Sequence, residues 1–178
     1  MIGKGKSISH GVAALEYDLA KEINGQAVAT EIARHELYGC TGAEMVQEMK
    51  PYHIDFPNVK NNCLRFEVSP SIEESATFTD ADWAELGNDF MQRMGLANHQ
   101  YIIIRHSGTE SKKEQAHLHI LANRVSLSGE LYRDNWIGKK ATEAANAIAK
   151  ERNFVQSQDI GKVNKAEIKE AMDGVLKK

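Results

Sequence analysis

The stretch Ala116-His-Leu-His-Ile-Leu-Ala-Asn123 decides the fold that this sequence predicts, because polar and apolar residues alternate at its start, from His117 to Ile120, as in a half-buried β-strand. Successive side chains on a strand point to opposite faces, so His117 and His119 stand side by side on one face. Leu118 and Ile120 fill the other face, where they can join a hydrophobic core. The sequence therefore predicts a strand that carries two adjacent imidazoles on its polar face.

A third histidine is predicted to join this pair from the preceding strand. The run Tyr101-Ile-Ile-Ile-Arg-His106 is also typical of a strand, and the polar stretch from Ser107 to Gln115 has the composition of a hairpin loop. If this loop closes symmetrically, His106 lies opposite His117, with Cβ atoms roughly 5 Å apart, and diagonal to His119 at roughly 7–8 Å. Three imidazoles would then converge on one point.

Convergence of His106, His117 and His119 predicts a site for a divalent metal ion. A lone histidine in a half-buried strand is usually a hydrogen-bonded structural residue, and the third imidazole favours the metal interpretation. Three neutral imidazoles leave coordination positions open, as a catalytic ion requires. Nitrogen ligands suit manganese, nickel, cobalt or zinc better than magnesium, but availability in the cell can override affinity, so manganese or magnesium is the expected ion in use.

Composition places the chain among ordinary globular proteins. It has 178 residues, of which 42% are hydrophobic and 26% charged, and this length fits one domain. No apolar run is long enough to span a membrane, and the N-terminus lacks the apolar segment of a signal peptide. The sequence therefore predicts a cytoplasmic protein without membrane contacts. The two cysteines are too few for a disulfide framework.

The net charge of −3 argues against a protein whose whole surface binds nucleic acid. Any contact with DNA is therefore expected from local basic patches. The candidates are three pairs of lysines, which are equally typical of an ordinary solvated surface: Lys4 and Lys6, Lys112 and Lys113, and Lys139 and Lys140.

The remaining periodicity predicts an α/β protein of the α+β sandwich type: a mainly antiparallel central sheet, helices on one face and the histidines on the other. Helices are predicted at His10–Ile23 with a stripe of Val12, Leu15, Leu19 and Ile23, from Thr41 to before Pro51, from Thr79 or Asp80 to Gly95, at Ile137–Arg152 and at Asn164–Lys178. Further strands are predicted within Gln26–Leu37 and at Asn61–Ser69.

A metal ion with open positions suits phosphoryl transfer, which also needs a nucleophile. Tyr17 is a candidate, because at 100° per residue it points about 200° away from Leu15 and Leu19 in the first helix. Small neighbours such as Ala13 and Ala20 leave room for a bulky substrate. Helix geometry alone does not distinguish this role from that of an exposed surface tyrosine.

Three stretches resemble the mobilisation relaxases of the HUH endonuclease superfamily. Gly3-Lys-Gly-Lys-Ser-Ile-Ser-His10 followed by Leu15-Glu-Tyr17 resembles the first motif, Leu64-Arg-Phe-Glu-Val-Ser-Pro70 is similar to the second, and His106 with His117, His119 and Asn123-Arg124 is similar to the third. The family often has an acidic residue two positions after the first histidine. This chain has Gly108 there, with eleven residues from His106 to His117, a spacing known in conjugative relaxases.

The resemblance covers roughly residues 1–152 and implies a relaxase catalytic domain, here taken as 1–154, followed by a polar extension or linker, 155–178. It implies that Tyr17 attacks single-stranded DNA at a plasmid or transposon transfer origin and forms a covalent 5′-phosphotyrosine. Accessory mobilisation proteins and a coupling protein are the partners it implies. Glu67, on the polar face of its strand, is the candidate carboxylate that orients a ligand histidine or takes the tyrosine proton.

Two other functions fit the same residues. A rolling-circle replication initiator uses the same constellation but usually places its tyrosine after the metal motif, where this chain has Tyr132 and a helix without tyrosine. A noncatalytic, metal-stabilised DNA-binding module would keep the scaffold and form no covalent adduct. The sequence predicts the relaxase function over both.

Overall fold

A five-stranded, fully antiparallel sheet organises the chain in the computed structural model, which describes residues 1–108 and 115–159. Its strands, in the order β1-β5-β7-β6-β4, are β1 (Ile2–Ile8), β4 (Ala29–His35), β5 (Cys63–Ser69), β6 (His99–His106) and β7 (His117–Ser126). A separate hairpin pairs β2 (Glu22–Ile23) with β3 (Gln26–Ala27). The predicted antiparallel α+β fold is confirmed.

The helices are α1 (Gly11–Leu19), α2 (Gly42–Met49), the single turn α3 (Ile72–Ser75), α4 (Asp80–Arg93) and α5 (Ile137–Glu151), and a 3₁₀ helix covers Lys50–His53. The predicted starts of α2 and α4 are confirmed, because Thr41 and Thr79 both form capping boxes with an acidic residue three positions later. The predicted helix Asn164–Lys178 lies outside the described residues. Within those residues, no helix is long and apolar enough to cross a membrane.

Helices cover both faces of the sheet. The large core packs α4 and α5 against side chains such as Phe66, Leu118 and Ile120. A second core packs α1 and α2 on the opposite face, against Cys63 and Leu121. The histidines lie on this second face, so α1 and α2 shelter part of the surface that the sequence predicted as open. This arrangement confines the site to the end of the sheet that the helices leave accessible.

The first helix is shorter than predicted. It ends at Leu19, and Ile23 belongs to the hairpin β2–β3, whose tight turn is Asn24-Gly25 with φ of 54° and 74°. The predicted apolar stripe is correct for Leu15 and Leu19, which pack in the second core, and wrong for Val12, which is exposed. The helix instead approaches the sheet through small residues, since a Cβ on Gly11 would lie 2.6 Å from the Cys63 sulfur. Close backbone packing therefore sets which face of α1 is buried.

Strand β1, which the sequence did not predict, forms one edge of the sheet beside β5. Its glycines and lysines alternate, so the glycines face α5 and the lysines face the histidine side. A Cβ on Gly3 would lie 2.4 Å from the carbonyl oxygen of Ala141, and one on Gly5 would lie 2.8 Å from the Phe66 ring. These glycines allow α5 to lie directly on the edge strand.

Candidate metal and nicking site

The structure confirms that the three histidines converge. In the β6–β7 register His106 is paired with His117, and His119 is paired with Ile104. Ring centroids are 5.4 Å apart for His106 and His117, 4.5 Å for His106 and His119, and 4.9 Å for His117 and His119. One ligand atom from each imidazole lies within 4.8 Å of the other two. The symmetric hairpin pairing predicted from the sequence is the cause of this cluster.

The donor set fits a divalent transition-metal ion. The Nε2 atoms of His117 and His119 are 3.1 Å apart, and two nitrogens each about 2.0–2.1 Å from one ion lie about 3 Å apart. His106 and His117 are almost fully buried and His119 is partly exposed, so an ion held here would face the solvent from one side. Three nitrogen donors with an accessible side have the composition of a catalytic rather than a closed structural centre.

Burial favours the neutral form of two of the imidazoles, His106 and His119. Desolvation is the main cause that lowers the pKa of His119, to about 2, and the neighbouring His106, His117, Arg65 and Lys4 lower it further. Desolvation also lowers the pKa of His106, against a raising effect of its hydrogen bond to the Asp18 backbone. A neutral imidazole has a free lone pair, so neither residue must lose a proton at neutral pH before it binds a metal ion.

Asp18, which sequence reasoning missed, connects α1 to the histidines. This residue is 1% exposed. Its carboxylate accepts two hydrogen bonds from Arg65, and one carboxylate oxygen lies 3.9 Å from Nδ1 of His119. Its backbone carbonyl accepts a hydrogen bond from Nε2 of His106 at 2.7 Å. The signal was present in the sequence, because Asp18 follows Leu15 by three residues and Gly11 by seven, on the buried face of α1.

Tyr17 lies on the same helix but points to solvent. Its side chain is 56% exposed, and its hydroxyl oxygen accepts a hydrogen bond from the Lys21 ammonium at 2.7 Å. The same ammonium lies 4.9 Å from the centre of the Tyr17 ring. The predicted orientation of this tyrosine away from Leu15 is therefore confirmed. Tyr17 is linked to the histidine cluster through the backbone, because the next residue, Asp18, contacts His106 and His119.

A cleft of about 190 Å³ opens beside His119 on the edge of the sheet. Its lining combines basic side chains with one carboxylate: Lys4, Gly5, Lys6, Arg65, Phe66, Glu67 and His119. Glu67 lies opposite His119 in the β5–β7 register and accepts a hydrogen bond from Lys4 at 2.9 Å. The structure thus brings Lys4, Lys6 and Glu67 next to the histidines.

The other predicted lysines are elsewhere. Lys112 and Lys113 lie outside the described residues. Lys139 and Lys140 lie in the first turns of α5, across strand β1 from the cleft. Lys140 donates a hydrogen bond to the Arg133 carbonyl at 2.8 Å and stands 4.9 Å from the centre of the Tyr132 ring. These two lysines are therefore separate from the group around His119.

An antiparallel sheet with a cluster of three histidines is consistent with an HUH-type nuclease. The family model described as "Relaxase: MobA/VirD2-like, nuclease domain" matches residues 17–154, and the chain belongs to this family. The match begins at Tyr17, so strand β1 precedes it. No curated protein matched the chain. The domain is that of a DNA-nicking relaxase, a family that generally uses a divalent metal ion.

Proposed function

We propose that this domain nicks and rejoins one DNA strand at a plasmid or transposon transfer origin, with Tyr17 as the nucleophile. The observation that carries the proposal is the convergence of His106, His117 and His119 beneath the helix that bears this tyrosine. We propose residues 1–154 as the catalytic domain and 155–178 as an extension or linker. Single-stranded DNA, accessory mobilisation proteins and a coupling protein are the proposed partners.

Tyr17 would attack the scissile phosphorus through its phenolic oxygen. The new O–P bond forms a 5′-phosphotyrosine while the bond to the 3′-oxygen breaks and leaves a 3′-hydroxyl, and the reverse attack by that hydroxyl reseals the strand. A phenol is protonated at neutral pH, so its proton must be removed. The Lys21 ammonium, which already donates to the Tyr17 oxygen, would stabilise the resulting phenolate.

The three histidines would hold a divalent ion, with manganese or magnesium in use and nickel, cobalt or zinc as alternatives. Such an ion polarises a phosphate and neutralises charge that develops on its oxygens. Lys4, Lys6 and Arg65 add positive charge to the cleft beside His119 and would bind neighbouring phosphates. Glu67 lies among these cations as the proposed acceptor of the tyrosine proton.

A simple experiment tests this function. The domain is incubated with manganese and single-stranded oligonucleotides from the DNA that adjoins its gene, and the mixture is separated on a denaturing gel. We expect a protein–DNA adduct that requires the divalent ion and disappears when excess free 3′-hydroxyl strand drives resealing. Binding without an adduct would instead support a noncatalytic DNA-binding module.

Asp18→Asn is expected to lower both the free energy of unfolding and the affinity for the ion. It removes the negative charge that pairs with Arg65 and lies beside His119. Loss of a buried partner costs about 3–5 kcal/mol, and the partial exposure of Arg65 puts the expected loss at about 2–3 kcal/mol in denaturant unfolding. Manganese affinity should fall about 10- to 100-fold.

Glu31→Gln is the matched control for that variant. It removes the carboxylate of another arginine pair, Glu31 with Arg34, which is solvent-exposed on β4. We expect a stability change of at most about 1 kcal/mol and no change in manganese affinity by calorimetric titration. Equal manganese affinity of Asp18→Asn and the wild type would show that Asp18 has no part in ion binding.

Replacement of Lys4 and Lys6 with glutamine should reduce the salt dependence of single-stranded DNA binding. Each phosphate contact contributes a slope of about −0.7 in a plot of log affinity against log salt, so loss of two contacts should reduce the slope by about 1.4. Fluorescence anisotropy with a labelled oligonucleotide measures this. Lys150→Gln, in the last turn of α5, is the control. A slope unchanged in the double variant would remove these lysines from the DNA interface.

A further inference from the structure

The start of α5 carries an exposed aromatic residue that the proposed chemistry does not use. Of the two tryptophans in the chain, Trp83 is buried in the core, whereas Trp136 is 80% exposed. A large indole on the surface leaves apolar area in contact with water, which is unfavourable unless a partner covers it. The position therefore differs from the ordinary packing role of tryptophan.

The backbone at Trp136 is constrained. Trp136 has φ of 58°, in the left-handed region that bulky side chains rarely adopt. Its neighbours hold it there: the Ile137 N–H donates to the Asp134 carbonyl, and the Lys140 N–H donates to the Trp136 carbonyl, both at 3.0 Å. Binding at such a constrained position costs little backbone freedom.

The surroundings of Trp136 are basic. A groove of about 300 Å³ is lined by Trp136, Lys139, Lys140 and Glu143. The hydrogen bond of Lys140 to the Arg133 carbonyl fixes one ammonium at this groove, and the exposed pair of Lys139 with Glu143, at 3.8 Å, is weak. A flat aromatic surface beside ammonium groups suits a nucleotide, whose base stacks while its phosphate meets the cations.

Tyr38 is another exposed aromatic residue, but its surroundings are acidic. Its side chain is 76% exposed, but its hydroxyl donates to Glu36 and its backbone N–H donates to Glu48. These carboxylates would repel a phosphate. Charge therefore distinguishes the Trp136 groove from a site that is merely exposed, and it makes Tyr38 a suitable comparison.

The groove lies just across the edge strand from the cleft. Helix α5 rests on β1 through the glycines of that strand, and a Cβ on Gly138 would lie 3.5 Å from the Gly5 carbonyl oxygen. Lys4 and Lys6 project from the opposite face of the same strand into the cleft. No further strand covers this edge of the sheet within the described residues. The two groups of lysines therefore lie on opposite sides of one edge strand.

We propose that Trp136 stacks on an unpaired base of the DNA strand that leaves the cleft across β1, with Lys139 and Lys140 on the adjoining phosphates. This site rests on the proposed relaxase function, and it gives the bound strand a path around the edge of the sheet. In this proposal Trp136 binds DNA, and the nicking reaction takes place at the histidine cluster and Tyr17.

Binding of an oligothymidylate tests the stacking role. Because Trp83 is buried, quenching of intrinsic fluorescence on titration should come from Trp136 and should be absent in Trp136→Phe. By anisotropy with a labelled oligonucleotide, Trp136→Ala should bind about 5- to 100-fold more weakly than the wild type, and Tyr38→Ala should bind as the wild type does. Trp136→Phe keeps a ring and should retain most of the affinity.

An abasic oligonucleotide of the same length separates stacking from charge, because it keeps the phosphates and lacks the bases. Trp136→Ala and the wild type should bind it equally. At saturating DNA the variant should still form the covalent adduct at the wild-type rate. If Trp136→Ala forms the adduct and binds oligothymidylate as tightly as the wild type, the stacking role is wrong and the proposed function stands. A wild-type protein that forms no adduct would overturn the proposed function.

Discussion

Tyr17→Phe is expected to abolish the covalent protein–DNA adduct. The substitution removes only the attacking oxygen, and the side chain is 56% exposed, so folding, ion binding and DNA binding should persist. The residual adduct should be below about one part in a thousand, the size of effect typical for loss of a catalytic nucleophile. A denaturing gel with labelled single-stranded DNA measures the adduct, and peptide mapping of the wild-type adduct locates its tyrosine.

Phenylalanine at other tyrosines provides the controls. Tyr38 is more exposed than Tyr17 but lies near carboxylates, so Tyr38→Phe should leave adduct formation intact. Tyr101 lies within β6 and Tyr132 follows β7, and their phenylalanine variants should also react normally. Tyr101 is buried, and its hydroxyl donates to Asn88 at 2.9 Å. Tyr101→Phe therefore also shows whether loss of a structural hydrogen bond affects adduct formation. An adduct that maps to Tyr132 would favour the replication-initiator function.

Replacement of both His117 and His119 by alanine is the second large expected effect. Two of the three nitrogens of the cluster disappear, so tight manganese binding and adduct formation should be lost together. The domain should remain folded, because these residues lie at the start of β7, and the hydrophobic core of the domain consists of other side chains. Calorimetric titration measures the ion affinity, and circular dichroism the fold.

His35→Ala is the matched control for the double variant. The His35 ring stacks on Tyr101 with centroids 5.2 Å apart, and its Nδ1 lies 2.9 Å from the His99 carbonyl oxygen, so it belongs to a structural contact. Its removal should lower thermal stability and leave manganese affinity unchanged. If the double variant at His117 and His119 bound manganese as tightly as the wild type, the ion would have to bind elsewhere.

Much of the histidine site was predictable because its cause is local. Strand alternation and one short loop determine the pairing of His106 with His117, and both are visible within about twenty residues of sequence. The capping boxes at Thr41 and Thr79 depend on a spacing of three residues and were equally visible. Local rules of this kind need no knowledge of the rest of the fold.

The features that the sequence did not predict depend on distant partners. Strand β1 contains glycines that weaken strand propensity, and its existence depends on pairing with β5 about sixty residues away and on α5 packing against Gly3 and Gly5. The role of Asp18 depends likewise on Arg65 and His106, which only the folded chain brings to it. The predicted carboxylate, Glu67, was inferred from the face of its own strand alone.

The position of Asp18 next to Tyr17 restricts how the enzyme can move. One peptide bond joins the proposed nucleophile to Asp18, which is anchored to two strands of the sheet. His106 anchors it to β6, and Arg65 anchors it to β5. A swing of α1 toward a bound strand would break these anchors. We therefore expect the tyrosine to find its target by rotation of its own side chain over a stationary backbone, with the DNA as the component that bends.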